Sequence, residues 1–488
     1  METTHDSSDL TDERGAMNLA PTDERGASSE GAIEEDAINR TPTNEEGEVS
    51  GGSRYEARRG SGGSRYEAVR AMVANVFLPF LAIRLLLFII GLATIYYILP
   101  LISHAQPIVA NPRLSRFPDM LYMMWVHFDS GFYLTIARNG YWSAHTLHGQ
   151  SNWGFFPFYP LVIHLIAFPF GSDWSTYQIV GILVSNAAAL VAAYYLYKLT
   201  TEEFNTTIAA RAVFYLGLFP MSFYLSAVYP ESLFLALAIA CIYYARLRRW
   251  WWAGLLGALA TLTRPEGVLL IVGMAWEYWN VLGERFAPVK ERTGFIASSR
   301  EWMYSRFTGL WRSLAAWRTW SGFVALALVP AALALFMIYS KWKVGAYTAY
   351  FMTQHYGWDH SFTNPLVLVI TDLQHPQSAS PYNWDFYALN MLSTLFFLCL
   401  LVPVFRKLPA IYGITMLAFM ILPLTTGKMD SITRYDLALF PAYMILAWWS
   451  SQGTQEQQMR RYGLIAVSFA ILLSLGMVLF TLGVYSIA

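Results

Sequence analysis

The chain has 488 residues, 55% of them hydrophobic, 16% aromatic and only 14% charged, with a net charge of zero and a mean hydropathy of +0.36. Soluble domains carry about 25% charged residues, so this composition excludes an ordinary soluble enzyme. The neutral balance offers no electrostatic footprint for nucleic acid, and none is expected as a partner.

Residues 1–70 are rich in Glu, Asp, Thr, Ser and Gly and nearly lack large aliphatics, so they cannot bury enough surface to offset the entropy of ordering. This stretch is predicted to be a disordered cytoplasmic tail. It carries two short duplications: Thr11–Ala16 recurs at Thr22–Ala27, and Gly51–Ala57 at Gly62–Ala68. The first apolar run lies too far from the N-terminus, and is too long, for a signal peptide.

From residue 71 to 488 apolar runs near 20 residues recur, the length that crosses about 30 Å of hydrocarbon as helix. The predicted spans are 76–100, 177–197, 208–228, 231–246, 250–263, 265–282, 319–341, 384–405, 408–424, 435–450 and 462–484. This makes an all-α polytopic membrane protein of about eleven transmembrane helices. Cys241 and Cys399 sit inside apolar runs and read as small core residues, with neither disulfide nor zinc spacing.

Residues 155–171 hold Pro157, Pro160 and Pro169 among aromatics, and suit an interfacial helix better than a span. With that choice the loops assigned to the cytoplasm hold 21 basic residues, including Arg246, Arg248, Arg249, Arg406, Lys407, Arg460 and Arg461, against 8 on the other side. The positive-inside rule then puts the N-terminus in the cytoplasm and the C-terminus outside. Two extracytoplasmic loops follow, 101–176 and 342–383. The outer face also receives Tyr229-Pro230-Glu231, Thr263-Arg264-Pro265-Glu266-Gly267 and Lys428 to Tyr435. Charged groups gathered at span ends on one face point to a site.

Each of these groups has a structural and a functional reading. Asp129, in His127-Phe128-Asp129-Ser130, either caps a short amphipathic helix or acts as a general base. Glu231 follows Pro230 at a helix start, or holds a sugar hydroxyl, or assists Asp129. Arg264 satisfies carbonyls freed by Pro265 and pairs with Glu266, or binds phosphate with its planar fork. Arg434 snorkels beside Tyr435, or joins Arg264 in an anion site. In 342–383, Gln354 and His355 lie among Tyr347, Tyr350, Tyr356 and Trp358, a set fit either for an aromatic belt or for stacking and hydrogen bonding a sugar. The nine histidines form no metal-ligand spacing, and no Gly-rich phosphate loop or nucleophile elbow occurs, which argues against a nucleotide-sugar or ATP-dependent enzyme.

Five motifs in order, His127-Phe128-Asp129-Ser130 with Tyr133 and Gly140-Tyr141, Phe155-Phe156-Pro157-Phe158-Tyr159-Pro160, Tyr229-Pro230-Glu231-Ser232, Thr263-Arg264-Pro265-Glu266-Gly267, and Arg434-Tyr435 before Phe440-Pro441, resemble the PIG-V type mannosyltransferases. That family usually has Trp before the Asp, where Phe128 stands, and Thr or Ser before the Glu, where Pro230 stands. The resemblance implies a GT-C fold and inverting transfer of a sugar, mannose by family likeness, from a polyprenyl-phosphate donor to an extracytoplasmic acceptor. It maps the family's acidic residue onto Asp129. Read from the residues themselves, His127, Glu231, Arg264, Glu266, Gln354, His355, Arg434 and Tyr435 are the candidate substrate-binding residues. No cofactor or metal is expected, since two arginines can receive one phosphate. A prokaryotic plasma membrane is the expected location. The competing reading is a transporter or flippase of lipid-linked substrates, but no internal repeat of the size such folds use is present.

Overall fold

Long apolar helices dominate the structure, a computed structural model that describes residues 65–103, 114, 116–286, 307, 317–374, 384–428 and 431–484. These residues belong to one unit, 52–488. Up to residue 64 the predicted tail lies outside the described residues; its end was set too late, because helix begins at Arg65.

The first helix, α1 (65–103), is continuous but for two wide turns at Val73–Phe77 and Thr94–Ile98. Ile83, Arg84, Leu87 and Gly91 form its buried stripe, whereas Leu81, Leu85, Leu86 and Ile89 are exposed. An apolar face turned outward is what a hydrocarbon solvent permits. After α1 come the short helices α2 (Ser130–Asn139) and α3 (Phe158–Ala167), then α4 (Trp174–Glu203), α5 (Thr206–Leu218), α6 (Glu231–Arg246), α7 (Trp250–Thr263), α8 (Leu270–Phe286) and α9 (Trp317–Val344). The segment after α9 holds α10 (Ala349–Trp358) and α11 (Pro365–Gln374), followed by α12 (Trp384–Lys407), α13 (Ala410–Leu424), α14 (Phe440–Ser450) and α15 (Gln455–Thr481).

Among the described residues five helices are long and apolar enough to cross a membrane: 69–101, 174–203, 319–344, 388–407 and 455–481. They make this a multi-pass membrane protein. The six other expected spans correspond to the shorter helices α5, α6, α7, α8, α13 and α14. Two of these differ from expectation. The 208–228 run is helical only to Leu218, and residues 219–230 are irregular yet buried. The 435–450 run starts its helix at Phe440, after single turns at Ile432–Tyr435 and Asp436–Ala438. In both places Pro punctuates the run (Pro220, Pro230, Pro441), removing the backbone donor that a continuing helix needs. The 155–171 segment contributes the 10-residue α3, about 15 Å long and too short to cross alone. Cys241 is buried as expected, but Cys399 is exposed on α12.

Small residues set the closest helix approaches. A Cβ on Gly254 of α7 would sit 2.0 Å from the Ala325 carbonyl oxygen of α9. In α4, Ala188, Ala189, Ala192 and Ala193 are buried where α4 meets its neighbours α5 and α6.

Charged side chains separate to the two ends of this bundle. At one end Arg246 closes α6 by pairing with Glu203 of α4 (2.9 Å) and Glu277 of α8, and Tyr412 of α13 donates to Glu203 (2.8 Å). The opposite ends of α6 and α7 carry Glu231 and Arg264. The exception lies inside α1. Arg84 is buried there, donating to the Ser222 carbonyl (2.6 Å) and to Ser226 Oγ (3.3 Å). It satisfies the Ser222 carbonyl, at the start of the short 3-10 turn Ser222–Leu225, which an apolar neighbour would not bond.

Candidate active site

The site begins with the turn Val126–Asp129. Phe128 lies at φ +49°, a left-handed conformation unfavourable for a bulky aromatic. The buried Tyr229 hydroxyl braces both sides of that turn, donating to the His127 carbonyl (3.1 Å) and accepting the Asp129 N–H (3.1 Å). The turn leads into α2. Asp129 occupies the N-cap position, but its side chain makes no capping hydrogen bond. The carboxylate instead takes a hydrogen bond from Arg434 Nη1 at 2.9 Å.

Arg434 also faces Glu231 Oε1, at 3.4 Å from Nε, and Glu231 Oε1 accepts from Arg264 Nη1 at 2.7 Å. Arg264 closes the chain through Glu266, with Nη2 to Oε1 at 3.2 Å. The result is a row Asp129–Arg434–Glu231–Arg264–Glu266, three carboxylates alternating with two guanidiniums and leaving one net negative charge. Glu231, Arg264, Glu266 and Arg434 are each buried, at 4%, 8%, 7% and 8% exposure, whereas the Asp129 side chain is 25% exposed. Burial alone would lower both arginine pKa values; Glu266 and Glu231 outweigh it at Arg264, and Asp129 and Glu231 at Arg434, so both rise and both guanidiniums stay charged.

Local structure explains why these side chains meet. Pro265 breaks the run between α7 and α8, turning Arg264 and Glu266 inward, and Gly267 admits the close return of the chain because its Cβ would stand 2.3 Å from the Thr261 nitrogen. Pro230 ends the irregular segment so that Glu231 opens α6. Tyr435 lies under Arg264, 4.6 Å from guanidinium carbon to ring centre, and Tyr224 and Tyr229 stack on Arg434 at 5.6 and 5.4 Å. Between Glu231, Arg264, Glu266, Arg434 and Tyr435 lies a cavity of about 10 Å³, room for one water. The Glu231 Oε2 atom is buried without a hydrogen-bond partner.

Of the residues expected from sequence, Asp129, Glu231, Arg264, Glu266, Arg434 and Tyr435 therefore form one cluster. His127 flanks it. Its ring packs edge-on against Phe480 at 5.2 Å, and Nε2 has no hydrogen-bond partner. Desolvation lowers its pKa to about 4, so the imidazole is neutral. Gln354 and His355 make their contacts elsewhere: Gln354 bonds the Gly154 carbonyl and His360, and the exposed His355 bonds the His360 carbonyl. Trp358 packs inward against Phe132 and Phe155 at 5.7 and 5.5 Å. Tyr229, Tyr224 and Arg84 were missed as site supports. Arg84, a lone charge within a long apolar run, was the available signal.

Among the described residues no group of three His, Cys, Asp or Glu side chains has the arrangement of a metal site. Two cations among three carboxylates instead hold one another, and the only partly open acid is Asp129. Chemically, such a row can present a carboxylate to a hydroxyl and an adjacent fixed positive charge to a leaving anion.

Residues 68–291 match the family model described as Mannosyltransferase (PIG-V). Four of the five motifs lie within the match, and Arg434 lies beyond it. The chain is 30% identical over 149 residues to GPI mannosyltransferase 2 of Schizosaccharomyces pombe, a stretch covering 30% of this chain and 31% of that protein. Among solved structures, apo ArnT from Cupriavidus metallidurans is similar with a TM-score of 0.42 at 15% identity, over 75% of this chain and 74% of that one. The apo oligosaccharyltransferase of Archaeoglobus fulgidus has a TM-score of 0.43 at 12% identity, over 82% of this chain and 56% of that one.

Proposed function

We propose that this chain is an integral-membrane inverting glycosyltransferase of the GT-C type. It moves a sugar, mannose by family likeness, from a polyprenyl-phosphate donor to a lipid, glycan or protein acceptor on the extracytoplasmic side. The observation that carries the reading is the Asp129–Arg434 pair at 2.9 Å, joined through Glu231 to Arg264 at the ends of helices from distant parts of the chain.

In the mechanism, Asp129 accepts the acceptor's hydroxyl proton as that oxygen attacks the anomeric carbon. The bond from that carbon to the donor phosphate oxygen breaks, and its electron pair leaves with the lipid phosphate. General-base help of this kind contributes about 10²- to 10⁴-fold. Protonation cancels the Asp129 charge, so Arg434 loses its strongest partner at the moment the phosphate gains charge, and electrostatic stabilisation passes from base to leaving group. Glu231 and Glu266 keep the two guanidiniums in place. His127, Gln354 and His355 are carried forward as substrate contacts. Metal independence belongs to the same proposal, as do the cytoplasmic N-terminus and the prokaryotic plasma membrane.

The test is transfer from radiolabelled polyprenyl-phosphate mannose to a lipid extract by the purified protein. Asp129→Asn is expected to lose transfer while retaining donor binding, and transfer at the wild-type rate would reject Asp129 as the base. A transporter or flippase of lipid-linked substrates would give no transfer with either protein. EDTA should leave the wild-type rate unchanged; a loss restored by Mn²⁺ or Mg²⁺ would reject metal independence.

A further inference from the structure

Arg434 is the one member of the row that bonds Asp129, and the turn carrying it is anchored from a helix that contributes nothing else to the row. On α12, Asn390 Oδ1 accepts the Thr433 N–H at 3.0 Å, and Ser393 Oγ donates to Asp436 Oδ2. Asn390 and Ser393 are three residues apart and share a helix face. Their partners bracket Arg434, one residue before it and two after. Asn390 is fully buried and Asp436 is 4% exposed, so the acceptor carbonyl and carboxylate both sit largely away from water, with Ser393 half-buried beside them. The rest of the turn is similarly fixed. Ser431 opens it at φ +59°, its carbonyl accepts the N–H groups of Arg434 and Tyr435, and the Tyr443 hydroxyl of α14 donates to the Asp436 carbonyl at 3.2 Å.

Polar groups buried within an apolar helix are costly unless satisfied, and apolar residues would pack α12 as well. Both polar groups are directed at this one turn. We infer that Asn390 and Ser393 form a clamp that sets the position of Arg434 against Asp129, and that they are positioning residues for the transfer reaction. The inference rests on the proposed reading of Asp129 as the base. It adds α12 to the working parts of the site. A displacement of about 1 Å in such a group lowers a rate by about 100-fold, so the effect reaches kcat rather than donor affinity.

The experiment combines hydrogen exchange of the full chain in nanodiscs with transfer kinetics. Asn390→Leu and Ser393→Ala should each speed exchange across 431–438, leave 231–246 unchanged, and lower kcat by about tenfold or more with donor KM nearly constant. Ser393→Thr, which keeps the hydroxyl, should restore both readouts. Unchanged exchange across 431–438, or faster exchange with wild-type kcat, overturns the clamp. Should Asn390→Leu fail to fold, Ser393→Ala and Ser393→Thr carry the same comparison. If the wild-type chain transfers no sugar, the proposed function fails, and exchange across 431–438 in the same variants still accepts or rejects the clamp.

Discussion

Arg434 holds two carboxylates from segments more than 200 residues away in sequence, Asp129 at 2.9 Å and Glu231 at 3.4 Å. Removing it leaves Asp129 without its cation, while Glu231 keeps Arg264 at 2.7 Å, so the loss falls on one partly buried pair and stays below the about 3–5 kcal/mol of a fully buried one. Arg434→Ala should therefore lower the melting temperature as well as abolish transfer. The double variant Arg434→Ala/Asp129→Asn should be less destabilised than the two single losses added together, read from melting in detergent. His127 gives a pH signature of its own. Its pKa in the fold is about 4, below the ordinary 6.5, so the unfolded chain binds the proton more readily in between. The stability it supports is complete above pH 6.5 and is lost as the pH falls toward 4. His127→Phe should flatten the melting profile across that window.

At the scale of elements, α7 and α9 meet through Gly254, where a Cβ would clash with a backbone oxygen rather than a movable side chain. Gly254→Leu should separate the two helices and lower the melting temperature sharply, whereas Gly463→Ala on α15, with nothing within 4 Å, should not. Helix existence was legible from apolar runs alone, because hydrocarbon demands an internally bonded backbone. Helix ends were less so. The 208–228 run reads as apolar throughout, yet it gives up helix at Leu218, just before Pro220, and continues as the short turn Ser222–Leu225, whose Ser222 carbonyl accepts from Arg84. Asp129 has the type and position of an N-cap, and only the arrival of Arg434 shows why its carboxylate turns away.

For the molecule as a whole, charge segregation fixes two ends: Glu203, Arg246, Glu277 and Tyr412 at one, and the Asp129–Glu266 row at the other. The proposed orientation, which rests on the basic-residue count, puts the first end in the cytoplasm. In a Cys241→Ala/Cys399→Ala background, Tyr347→Cys should react with a membrane-impermeant maleimide in intact cells. Arg461→Cys should react only after permeabilisation, and the reverse pattern would invert the orientation.

The sequence by itself determined that this is a helical, multi-pass membrane protein and which acids and bases stand at span ends on a common face. Both follow from the energy of placing charge or free backbone in hydrocarbon, which each segment obeys independently of the others. The tertiary structure alone decided how those charges pair. Two arginines neutralise two of three carboxylates, so neither is an unpaired phosphate receptor, and the anchoring residues Asn390 and Ser393 come from a segment with no local mark of that role. Pairing depends on distances of 3–4 Å between residues as much as 305 positions apart, and packing sets those distances.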